Sequence, residues 1–79
     1  MTTPQSENEI LLDTRGLPPP EPLELVLEAL GDLQSHQCLR MLVDREPRPL
    51  YAILDDNNFQ YETTTSPDYR YELLIWHKR

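Results

Sequence analysis

Sulfur, glycine and positive charge are all scarce in this chain of 79 residues. It has one cysteine, two glycines, and seven lysines and arginines against fourteen aspartates and glutamates. One cysteine closes no internal disulfide, and with no export signal in sight the expected compartment is the cytoplasm. Two glycines exclude a glycine-rich loop cradling phosphate. A formal net charge of −7 works against nucleic acid and against anionic membrane, since both are held by neutralising phosphate with Lys and Arg. No apolar run approaches the roughly 20 residues of a membrane span. Met1 to Glu9 has neither the basic start nor the apolar stretch of a signal peptide.

What is present is enough for one modest core: 38% of residues are hydrophobic and 27% charged. Residues 1–8 read as a polar, flexible tail and residues 9–79 as a single domain. Glu9 to Asp13 has strand alternation, with Ile10 and Leu12 on one face and Leu11 on the other. Pro18 and Pro19 hold the exit extended, and Pro20 suits the first position of a helix. From there Leu23, Val26, Leu27, Leu30 and Leu33 recur at helical spacing, opposite Glu21, Glu24, Glu28 and Asp32. Gly31 lies where that helix loosens or ends.

Cys38 to Asp44 reads as a second strand, with Leu39, Met41 and Val43 facing away from Cys38, Arg40 and Leu42. After a charged loop, Pro49 opens a shorter helix through Leu50, Tyr51, Ile53 and Leu54, which the Asp55-Asp56-Asn57-Asn58 turn ends. Phe59–Thr65 and Tyr69–His77 are β-rich runs separated by Ser66-Pro67-Asp68, the pattern of a hairpin. The order is β-α-β-α-β-β. It predicts an α+β two-layer sandwich, a four-stranded mixed sheet with two helices on one face. The first two strands are parallel and joined by a right-handed crossover.

The run Leu12-Asp13-Thr14-Arg15-Gly16-Leu17-Pro18-Pro19-Pro20-Glu21-Pro22 resembles the signature Leu-Asp-x-x-Gly-Leu-x-Cys-Pro-x-Pro of the TusA (SirA-like) superfamily of bacterial sulfur carriers. Leu12, Asp13, Gly16, Leu17, Pro20 and Pro22 fall into register, but Pro19 stands where the signature has its persulfide-bearing cysteine. The Pro47-Arg48-Pro49-Leu50-Tyr51 run is similar to a branch of that superfamily, a bacterial domain of unknown function that also has Pro-Pro in place of Cys-Pro. The resemblance implies the same architecture. It implies no activity, because fold and function separate easily.

Pro19 removes the thiol on which sulfur relay depends, and marks a vestigial carrier position at the helix start beside Glu21. Cys38, in a strand, has two readings: a small half-buried hydrophobe, or the thiol of a sulfur carrier or redox protein. Arg15, Arg45 and Arg48 also have two. They form an anion site at the end of the parallel strands, where ligands of α/β sheets dock, or they pair with Asp13, Asp44 and Glu46 as loop ion pairs. His36, Cys38 and His77 make no chelating pair, so no metal is expected, and no cofactor or catalytic constellation is legible.

The remaining surface is the sheet face away from the helices. Placing Leu73 and Ile75 inside leaves Leu74 and Trp76 outside with Leu42 and Cys38, rimmed by Arg40, Glu62 and Glu72; a one-residue change of phase inverts this. An apolar face bearing tryptophan suits a protein contact. The expected function is a non-catalytic accessory or protein-interaction module. Its partner would be an unidentified protein or a second copy of the chain, not nucleic acid or membrane. Its contacts would be Arg15, Pro19, Glu21, Arg45, Arg48, Leu74 and Trp76. The alternatives are a carrier acting through Cys38 and a sensor holding a small anion at Arg15, Arg45 and Arg48.

Overall fold

Alternation decides which side of the sheet each strand residue takes, and burial shows which side the helices cover. The computed structural model describes residues 9–65 and 70–78. The expected tail at 1–8, the Ser66-Pro67-Asp68 turn and Tyr69 lie outside the described residues. The elements are β1 (Glu9–Asp13), α1 (Glu21–Asp32), β2 (Cys38–Val43), α2 (Arg48–Asp56), β3 (Phe59–Thr65) and β4 (Tyr71–His77). The sheet runs β1-β2-β4-β3, with β1 parallel to β2 and β4 antiparallel to both its neighbours. This is the mixed sheet expected from the sequence.

Leu39, Met41, Leu73 and Ile75 have no exposed surface, and Val43 has 5%. They meet Val26 and Leu30 of α1 and Leu50 and Leu54 of α2, so both helices share one face and one core. Burying each leucine contributes about 2 kcal/mol. The phase that puts Leu73 and Ile75 inside is the one observed. Ile10 and Leu11 remain exposed, at 39% and 61%, because β1 is an edge strand.

Helix ends depart from expectation by a residue or two, for local reasons. Pro20 is the residue before α1, and Pro22 lies in the first turn. The Pro18–Glu21 turn, with the Pro19–Pro20 bond cis, closes through the Glu21 amide donating to the Pro18 carbonyl at 3.0 Å. Helix α1 runs one residue past Gly31, and Leu33 leaves it in extended backbone yet stays buried at 7%. Leu27, expected on the apolar stripe, is 38% exposed at its edge.

Helix α2 opens at Arg48, one residue before Pro49, and takes in Asp55 and Asp56. It continues that far because the Asn57 amide still donates to the carbonyls of Ile53 and Leu54, at 3.1 and 3.2 Å. The Asn57 side chain also donates to the Ile53 carbonyl, at 2.8 Å. Asn58, in the left-handed region at φ 64°, then carries the chain into β3.

Candidate functional site

The parallel pair β1 and β2 deliver their exits to one end of the sheet, and a hydrogen-bond frame fixes what happens there. Thr14, 1% exposed, donates both its amide and its hydroxyl to the Leu42 carbonyl, at 2.9 and 2.7 Å. Two residues on, the Gly16 amide donates to Asp44 Oδ2 at 2.6 Å. Gly16 sits at φ 86°, a conformation that side-chain-bearing residues resist, which explains glycine at this bend. The frame holds the Leu17–Pro22 run beside the β2 exit.

Between these segments are two adjoining clefts. One, of about 370 Å³, is lined by Thr14, Gly16, Leu17, Pro18, Pro19, Pro22, Val43, Asp44 and Arg45. The other, of about 310 Å³, is lined by Pro19, Pro20, Pro22, Leu23, Val43, Arg45, Glu46, Pro47, Pro49 and Leu50. Pro19, Pro22, Val43 and Arg45 belong to both. Sequence reasoning singled out Pro19 and Arg45 but missed Pro22, Pro47 and Pro49 as walls. Their signal was the density of proline on both sides of β2 in the chain.

The charged groups at this end are mostly matched. Arg15 grips Asp13 with two parallel hydrogen bonds of 2.8 Å, which holds the Asp13 carboxyl at about 2, well below the usual range. Arg48 Nε lies 3.1 Å from Glu46 Oε1, and the Tyr51 hydroxyl donates to Glu46 Oε2 at 3.1 Å. Tyr51 is itself fixed by stacking on Tyr61, with ring centres 4.8 Å apart, and by a 3.0 Å contact with the Thr63 hydroxyl. Asp44 faces Arg70 at 3.5 Å as well as the Gly16 amide. Arg15, Arg45 and Arg48 thus share one end of the sheet, but the first and last hold local carboxylates. Among the described residues Arg45 makes no ion pair.

Helix α1 adds little attraction for an anion. The amide of Glu21 is taken by Pro18, that of Glu24 by Pro20, and Pro22 has none. Glu21 and Glu24 place their own negative charge in the first turn.

Cys38 starts β2, five residues from Val43, which at ~3.3 Å per residue is roughly 17 Å from the clefts. Burial pushes its thiol up, and the neighbouring Glu9 carboxylate adds to this. A reactive cysteine needs the opposite setting, an accessible thiolate in a positive field.

Leu74 and Trp76 lie on the open face, far from Arg45, and both are half-buried. The Trp76 indole donates to Gln60 Oε1 at 3.2 Å. Arg40 was expected at the rim of this face. It sits in the middle, because β2 is an interior strand, and it bridges Glu9 of β1 and Glu72 of β4. The arginine lowers the Glu9 carboxyl through its hydrogen bond. The face is therefore a charged lattice over leucines more than a bare apolar patch. Sequence alone could not pair Arg40 with these acids without the strand order.

The fold and family follow from comparison. The crystal structure of a SirA-like protein from Desulfitobacterium hafniense is similar, with a TM-score of 0.76 and 22% identity, over 89% of this chain and 99% of that one. No curated protein matches. The model of the uncharacterized conserved protein family DUF2249 matches residues 11–77, nearly all of the described structure. The chain has a SirA-like fold and belongs to the DUF2249 family.

Proposed function

We propose that this chain is a cytoplasmic, non-catalytic accessory module that docks a protein partner at the proline-walled end of its sheet. One observation carries the reading: Pro19, at the carrier position of the signature, is a shared wall of two adjoining clefts. Where the signature has a nucleophile, this chain has a rigid surface. A proline side chain has almost no rotamer freedom to lose on contact, so such walls favour docking. The carboxylates nearby are tied to Gly16, Arg48 and Tyr51 and serve the frame.

The carrier alternative through Cys38 has less support, since that thiol lies at the far end of β2 with its ionisation suppressed. The anion-sensor alternative is weakened by the ion pairs of Arg15 and Arg48.

Affinity capture from a lysate of the source cells tests the proposal. The native chain should retain a partner that Pro19→Arg loses and Trp76→Glu keeps. Pro19 is exposed, so its replacement removes no core contact, and circular dichroism checks that the variant is folded. Capture indifferent to Pro19 would reject this end as the docking site. Uptake of sulfur from a cysteine desulfurase, seen by intact mass and abolished by Cys38→Ser, would instead establish the carrier reading.

A further inference from the structure

We infer that the two clefts take an extended polypeptide segment carrying an acidic side chain between two apolar ones, with Arg45 binding the acid. The inference rests on the docking reading above and specifies its partner.

Arg45 lines both clefts, the one cation that does so. Its neighbours in the chain, Asp44 and Glu46, do not neutralise it. Asp44 is held by the Gly16 amide at 2.6 Å and faces Arg70 at 3.5 Å, and Glu46 is held by Arg48 and Tyr51, each at 3.1 Å. In a chain of net charge −7, a guanidinium left uncompensated among the described residues is the exception at this end. Its planar fork matches a carboxylate with two parallel hydrogen bonds. With one guanidinium to offer in a chain of net charge −7, the site fits one acidic side chain better than a polyanion.

Around this cation the walls are the prolines with Leu17 and Leu23, above the buried Val43 and Leu50, and Asp44 and Glu46 at the margin. At about 370 and 310 Å³ each cleft has room for more than one side chain, and the prolines and leucines of its walls favour apolar groups. In an extended segment residues i, i+2 and i+4 point the same way, about 7 Å apart. The sequence pattern is therefore apolar-x-acid-x-apolar, with the outer residues in the clefts and the acid on Arg45.

Panning a displayed library of short random peptides on the intact chain tests this. The enriched peptides should carry Asp or Glu with apolar residues two positions to either side. In fluorescence anisotropy, changing that acid to its amide should weaken binding about tenfold, the loss expected for a charged hydrogen-bonded pair. Arg45→Gln should abolish the preference for acid over amide, while Arg48→Gln should keep it. Circular dichroism should show both variants folded.

Peptides enriched without an acid, or a preference that survives Arg45→Gln, would overturn the inference. So would a sedimentation dimer that Arg45→Gln splits, which gives the clefts to a second copy. No enrichment, with lysate capture still dependent on Pro19, would overturn the acidic-segment inference and leave the docking reading intact. Failure of both experiments would remove both.

Discussion

Thr14 places two donors on a single oxygen of Leu42, its amide at 2.9 Å and its hydroxyl at 2.7 Å. Both partners belong to the end of the sheet where the clefts open, and Thr14 is almost wholly enclosed. Thr14→Val keeps the shape and the amide bond and removes only the hydroxyl. The expected loss is about 1 kcal/mol, read as a lower urea midpoint with unchanged slope. A variant as stable as the native chain would show that the second donor contributes nothing.

Asp13 and Arg15 make acid stability depend on one exposed pair. The Asp13 carboxyl is lowered from 3.8 to about 2, first by the Arg15 side-chain hydrogen bonds and then by the Arg15 amide. A lowered folded-state value means stability present above 3.8 and lost as the pH falls towards 2. Following the Asp13 carboxyl by NMR titration should give that low midpoint, and Arg15→Gln should move it up. An unchanged midpoint in Arg15→Gln would deny the pair this role.

Adjacent leucines of β4 should respond very differently to truncation. Leu73 is fully buried against the helices, and Leu74 lies half-buried on the open face. Leu73→Ala should lose about 3 kcal/mol, a large share of the ~4–12 kcal/mol expected for a domain of this size. Leu74→Ala should lose about 1 kcal/mol or less. Thermal or urea unfolding of the two variants measures the difference, and equal losses would contradict the observed phase.

Cys38 should react slowly with a disulfide reagent near pH 8. Burial raises its thiol, and Glu9 raises it further, so the thiolate is scarcer than in an ordinary exposed cysteine. Glu9→Gln should quicken the reaction modestly. Denaturing the chain should quicken it more, because burial is the larger cause. Reaction at or above the rate of a free thiol would restore Cys38 as a working group.

Much of the architecture was legible because strand and helix periods differ. Leu39, Met41 and Val43 alternate while Val26 and Leu30 lie four apart, and the structure buries all five together. Pro20 and Pro49 marked the helix starts to within a residue. Pro19, singled out by the resemblance of the Leu12–Pro22 run, lines both clefts. What stayed hidden depended on distant segments meeting. No local pattern puts Glu9 and Glu72 on either side of Arg40, or brings Pro47 and Pro49 against Pro19. The commitment of Arg15 and Arg48 to nearby acids was one of two readings open at Asp13 and Glu46, and only geometry chose between them.

Strand β4 lies between β2 and β3, so those two earlier strands are joined only through it. Synthesis runs from the amino end, and the emerging polypeptide must wait with Leu39 and Met41 lacking half their neighbours. A product broken off before Tyr71 would lack the strand that joins β3 to the β1–β2 pair. Completion of the sheet is thus tied to the Tyr71–His77 segment.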